Sequence, residues 1–115
     1  VLAECDEQYV KIAARVASEM GADMVKVSFT GSVESFARVV EGSSIPVLIA
    51  GGEKAKNTRD VLNNVKMAID AGGKGVSMGR NVFQHKNPSL LLKAVSQIVH
   101  NGASVDDAMI MLGEN

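Results

Sequence analysis

A lysine in the middle of an apolar strand is the first residue with chemistry to account for. Met24-Val25-Lys26-Val27-Ser28-Phe29-Thr30-Gly31 is rich in β-branched and apolar residues and ends in a turn signal, so it reads as a strand. Alternation sets Met24, Lys26 and Ser28 on one face, and Val25, Val27 and Phe29 on the other. Helical patterns lie on both sides of the stretch, so both faces are expected to be covered. Burial there disfavours the ammonium, lowers its pKa and frees the amine as a nucleophile, as Schiff-base chemistry on a carbonyl requires. The same residue also fits a plainer role, snorkelling from a strand end or pairing with a carboxylate.

Two further groups sit where strands end. Gly51-Gly52 follows Pro46-Val47-Leu48-Ile49-Ala50, and glycines there let backbone N–H groups come close to an anion. Gly79-Arg80 follows Gly75-Val76-Ser77-Met78 and precedes a single turn from Val82 to Lys86, which adds helix-terminal N–H groups to a guanidinium. A glycine pair alone is most often a tight turn; two at corresponding strand ends, one joined to arginine, favour a phosphate site. Lys54 and Lys56 offer loop charge of the kind that is usually solvated. His85 and His100 read as structural or surface groups, and His100 suits a helix C-terminus. No metal-ligand spacing, nucleophile elbow or Walker-type phosphate loop is present in the sequence.

The elements that must position these residues follow in order. Asp6 caps a helix with Ile12, Ala13, Val16, Ala17 and Met20 at helical spacing, stopped by Gly21. After the lysine strand, Ser32 caps a second helix whose apolar side is Val33, Phe36, Ala37 and Val40, ending at Gly42. The proline-led strand, a polar loop through Asn57 and a third helix with Val61, Leu62, Val65, Ala68 and Ile69 come next. The third strand precedes a helix opened by Asn87-Pro88 and closed by Asn101-Gly102. Ser104 with Asp107 forms a capping box for the last helix, through Leu112. Met67, Met78, Met109 and Met111 read as core fillers.

Strand and helix alternate with only three strands, which implies βαβ units and a parallel sheet. Three strands are few for a freestanding α/β domain. The expectation is therefore the C-terminal portion, about three βα units, of a (β/α)8 barrel, a fold that needs ~250 residues. Residues 1–115 would form one segment of a single barrel domain; a small doubly wound domain is the alternative.

Bulk properties narrow the function classes. The chain has 115 residues, a net charge of −1 and 46% hydrophobic residues. No basic surplus points to nucleic acid, and 3% aromatic content leaves little to stack bases. No apolar run is long enough to span a membrane, and Val1 to Asp6 has no signal-peptide pattern. The single Cys5 has no partner within the chain, in keeping with a cytoplasmic location.

In combination, Gly21-Ala22-Asp23-Met24-Val25-Lys26, Phe29-Thr30-Gly31, Pro46 to Gly52 and Gly79-Arg80-Asn81-Val82-Phe83-Gln84-His85 resemble the archaeal-type class I fructose-bisphosphate aldolases, from about Asp6 to Leu112. The resemblance implies that Lys26 forms the Schiff base with a ketose, on barrel strand six. It implies that Gly51, Gly52, Gly79 and Arg80 hold a substrate phosphate, with no cofactor and no metal. It also implies an acid–base aspartate and tyrosine on earlier strands, outside this chain; Tyr9 does not match them. A homo-oligomer is expected for the intact protein. The same motifs resemble 2-amino-3,7-dideoxy-D-threo-hept-6-ulosonate synthases, which share the last helix, and a thiolase acting on a phosphorylated diketone. A noncatalytic phosphate-binding segment is the reading from another class.

Overall fold

The computed structural model describes residues 6–50 and 57–113. Three short strands, β1 (Val25–Val27), β2 (Val47–Ala50) and β3 (Gly75–Ser77), form one parallel sheet in the order β1-β2-β3. The ladder pairs Lys26 with Leu48 and Leu48 with Gly75; one step on, Val27, Ile49 and Val76 share a row. Helix α1 (Glu7–Glu19) precedes β1, and α2 (Val33–Glu41) and α3 (Thr58–Asp70) connect the strands. After β3 come a single turn, α4 (Arg80–Phe83), then α5 (Pro88–Asn101) and α6 (Val105–Leu112).

The local signals behave as side-chain chemistry requires. Oxygen atoms of Asp6, Ser32, Asn57, Asn87 and Ser104 each accept a backbone N–H two or three residues on, satisfying a donor that the first helical turn leaves unpaired. Pro88 stands in the first turn of α5, where its missing N–H costs nothing, and Gly102 closes that helix with φ 68°. Gly73 is fixed by packing: a Cβ there would lie 2.8 Å from the Ala68 carbonyl oxygen.

Two apolar clusters join through Val76 and Met78. One places Val27, Val47 and Ile49 of the sheet against Val10 and Ala14 of α1, Phe36 and Val39 of α2, and Ala68 of α3. The other is helical: Leu62 and Val65 of α3 meet Leu91, Val95 and Ile98 of α5 and Met109 and Leu112 of α6. Burying each such side chain contributes about 1.5–3 kcal/mol before the entropy of ordering it.

Four expectations are corrected. The sheet is not covered on both faces: α1, α2 and α3 pack on the valine face, while Lys26 and Ser77 on the other are exposed. The strand carrying the lysine is shorter than its apolar pattern, because the chain leaves the sheet after Val27 and Thr30 is held by the Ser35 hydroxyl at 2.6 Å. In α1 the core side is Val10 and Ala14, whereas Ile12, Val16 and Met20 are 51%, 52% and 81% exposed. The apolar arc of that helix is wider than the surface β1 and α2 offer it. Met111 is likewise exposed, unlike the buried Met109.

Candidate active site

Parallel strands deliver their C-terminal ends to one edge of the sheet; of the expected site residues that are described, Lys26 lies within β1, and Gly79 and Arg80 follow the end of β3. Lys26 is the central residue of β1 and points to the face without helices. Leu48 and Gly75 continue its row, and the Ala50–Ser77 row lies two residues nearer the C-terminal edge, ~7 Å along the strand. Among the described residues, Lys26 is the only charged side chain within a strand. Its ammonium is solvent-exposed here, so the desolvation expected from two covered faces is not supplied by this chain.

The end of β1 is held by hydroxyls. Gly31 turns the chain with φ 99°, and the Ser35 hydroxyl, 8% exposed, lies 2.6 Å from Thr30 Oγ1 and 2.9 Å from Ser32 Oγ. Phe29 packs its ring 5.5 Å from that of Phe36. Together these contacts fix the path of the chain immediately after Lys26. Only the cap at Ser32 stood out from the sequence; the hydroxyls of Thr30 and Ser35 carried no separate signal.

Gly79 and Arg80 open α4 directly after β3. The Gly79 carbonyl accepts the N–H groups of Val82 and Phe83 at 3.0 and 2.9 Å, so the turn begins earlier than the 82–86 expected. A Cβ on Gly79 would meet only the Phe83 ring, at 3.9 Å, so packing within the chain does not demand glycine here as it does at Gly73. Arg80 is exposed, and the adjacent Asn81 is buried at 7% exposure. Asn81 drew no role from the sequence; its place in the Gly79-Arg80-Asn81 triplet was the available signal.

His85 links two helix starts. Its Nδ1 accepts the Asn87 N–H at 2.8 Å, and its Nε2 lies 3.2 Å from Thr58 Oγ1. The ring thereby ties the start of α3 to the start of α5 around the Arg80 turn. Gly51, Gly52, Lys54 and Lys56 lie outside the described residues, as does Cys5. Tyr9 is on α1 and 58% exposed. No group of three or more metal-ligating side chains occurs among the described residues. No described helix is long and apolar enough to cross a membrane.

Comparison with known proteins gives this arrangement a context. The chain is 43% identical over 103 residues to an uncharacterized aldolase of Saccharolobus solfataricus, covering 90% of this chain and 38% of that protein. It is 46% identical over 101 residues to a 2-amino-3,7-dideoxy-D-threo-hept-6-ulosonate synthase of Halobacterium salinarum, covering 88% of this chain and 38% of the synthase. A 3-hydroxy-5-phosphonooxypentane-2,4-dione thiolase of Yersinia enterocolitica is 42% identical over 103 residues, with 90% and 34% covered. The chain thus spans less than two fifths of the length of these relatives.

The crystal structure of an archaeal fructose 1,6-bisphosphate aldolase superposes with a TM-score of 0.83 at 36% identity, covering 86% of this chain and 40% of that one. A second structure of an archaeal fructose-1,6-bisphosphate aldolase, with the catalytic lysine covalently bound to the carbinolamine intermediate of the substrate, gives 0.81 at 35% identity, with 84% and 39% covered. The three-stranded layer is therefore part of a (β/α)8 barrel of the class I aldolase type, and the bare face carrying Lys26 corresponds to the barrel interior. A model of DeoC/LacD family aldolases matches residues 2–85, the strands and turn that carry Lys26 and Arg80 included, and the chain belongs to that family.

Proposed function

We propose that this chain supplies the nucleophile and part of the phosphate site of a Schiff-base aldolase acting on a phosphorylated ketose, fructose bisphosphate. The observation that carries the reading is Lys26: among the described residues the one lysine within a strand, on the face that becomes interior when a barrel closes, in a family of aldolases. A relative in fold holds its substrate on a catalytic lysine as a carbinolamine, the intermediate this reading requires.

The Lys26 Nζ lone pair attacks the substrate ketone carbon, and the carbinolamine loses its hydroxyl as water to give an iminium. The iminium accepts the electron pair of the breaking C–C bond. The aldehyde half leaves once its hydroxyl has lost a proton, and the enamine is then protonated and hydrolysed to restore the free amine. The proton-transfer groups come from strands that precede this chain. Arg80 and the backbone of Gly79, with Gly51 and Gly52, hold a phosphate so that the ketone faces the amine. In this reading the barrel closes over Lys26 and provides the desolvation that the isolated layer lacks, and the enzyme works in the cytoplasm as a homo-oligomer.

A second substrate reading rests on the 46% identity to the Halobacterium synthase, beside 43% and 42% to the Saccharolobus and Yersinia relatives. One assay separates the two. This chain is joined to the N-terminal portion of the Saccharolobus relative to complete a barrel, and the product is given fructose bisphosphate. Release of triose phosphates, lost in Lys26→Met, supports the proposal. A barrel inert to fructose bisphosphate but able to condense a ketose phosphate, as the enamine donor, with an amino aldehyde acceptor favours the synthase instead.

A further inference from the structure

Helix α4 is too short to hold itself in place. Its four residues, Arg80–Phe83, form a single turn, and one turn fixes several backbone dihedrals for few hydrogen bonds. Those bonds run on to His85: the Gly79 carbonyl accepts from Val82 and Phe83, that of Arg80 from Gln84, and that of Val82 from His85 at 3.2 Å. The turn must therefore be held by other parts of the molecule. On its inner side Asn81 is buried and Val82 packs against the helical cluster. At its far end the hold is a side chain. His85 Nδ1 accepts the Asn87 N–H at 2.8 Å, and Nε2 lies 3.2 Å from Thr58 Oγ1, 27 residues away in the sequence. Both partners stand at helix starts: Thr58 opens α3 directly after its cap, and Asn87 is the cap of α5. One half-buried imidazole thus joins the end of the Arg80 turn to two longer helices.

From this geometry we propose that His85, acting through the Thr58 hydroxyl, is a positioning residue for the phosphate end of the substrate. Its bridge sets the Arg80 turn relative to α3, the helix that follows Gly51-Gly52 in the sequence. The proposal rests on the reading of Arg80 as a phosphate ligand. It goes further in making phosphate affinity depend on a hydroxyl carried by a different helix. A bridge that served only overall stability would leave that affinity alone, so the two roles part experimentally.

Thr58→Val removes the hydroxyl at nearly constant shape, and Thr58→Ser keeps it. Amide exchange of the 115-residue chain reads the turn without any turnover. Thr58→Val should speed exchange at Gln84 and His85 by about two- to tenfold, the worth of one neutral hydrogen bond, and leave Leu62 and Val65 of α3 unchanged. Thr58→Ser should exchange as the parent does. In the completed barrel, Thr58→Val should raise the KM for fructose bisphosphate by a similar factor, and by more than it lowers kcat, with Thr58→Ser restoring it. His85→Asn can still accept the Asn87 N–H through its side-chain oxygen but is too short for Thr58, so it should follow Thr58→Val. Exchange at the turn that does not change, or that speeds up equally in the core of α3, would overturn the proposal. So would a KM that Arg80→Ala raises and Thr58→Val does not. A KM that neither substitution moves would overturn the phosphate reading and this proposal with it.

Discussion

The two faces of the sheet come from the same ten strand residues and behave oppositely. On one, Val27, Val47 and Ile49 are buried under three helices; on the other, Lys26 and Ser77 meet solvent and Leu48 and Ala50 are half-buried. Stability is concentrated on the first face, and the chemistry we propose lies on the second. The valine face is covered within this chain, because each helix that packs on it follows or precedes its strand directly. The lysine face carries no helix of this chain. The difference explains how a layer can be well packed while the proposed nucleophile remains hydrated.

Removing material from each face in turn should break the symmetry most visibly. Phe36→Ala takes a fully buried ring from beneath β1 and β2 and should cost about 3–5 kcal/mol, enough to unfold a chain of this size, as read by urea denaturation. Lys26→Met on the open face should shift the same curve by no more than about 0.5 kcal/mol. Equal effects would contradict the division of labour.

On the chemical side, Arg80→Ala in a completed barrel should raise the KM for the phosphorylated substrate more than it lowers kcat. Loss of a charged hydrogen bond suggests about 1.5–3 kcal/mol, or roughly tenfold to 150-fold. An unchanged KM would remove Arg80 from the phosphate site.

The glycines sharpen the contrast further. Gly73→Ala drives a methyl to within 2.8 Å of the Ala68 carbonyl and should destabilise by about 1–3 kcal/mol. At Gly79 a methyl would meet nothing nearer than Phe83 at 3.9 Å, so Gly79→Ala should disturb folding less and phosphate affinity more. Thermal melts beside phosphate-ester binding separate the two.

The smallest effect belongs to the outer surface. Arg38, by its hydrogen bond above all, holds the Glu7 carboxyl below its ordinary 4.5. A lowered folded-state pKa gives a contribution that is full above that ordinary value and lost as pH falls through the folded one. The hold of α1 on α2 should therefore loosen only in acid, and 1 M salt or Glu7→Gln should erase that step in the titration of helical signal.

How far the sequence could be read follows the same division. Capping side chains and glycine stops act over two or three residues, so Asp6, Ser32, Asn87, Ser104 and Gly102 set their helix ends legibly. The alternation around Lys26 correctly set it opposite Val25 and Val27. What the pattern did not carry was which partners are present. Ile12, Val16 and Met20 repeat at core spacing, yet a helix buries an arc only where another element lies against it. Lys26 and Gly79-Arg80 were legible as candidates for the proposed chemistry because a lysine amid an apolar strand pattern and an arginine beside a glycine at a strand end stand out from the residues around them. The Thr30–Ser32–Ser35 network was not, since serine and threonine beside a helix cap usually serve the cap.

The measurement that bears most directly on the central claim is covalent trapping. The completed barrel is incubated with fructose bisphosphate and borohydride, digested, and its peptides weighed. Reduction of an iminium adds the ketose phosphate, less one oxygen, to the attacking lysine, and the mass should appear on the peptide containing Lys26 and vanish in Lys26→Met. Addition to Lys54 or Lys56, or none at any lysine of a barrel that turns substrate over, would contradict it.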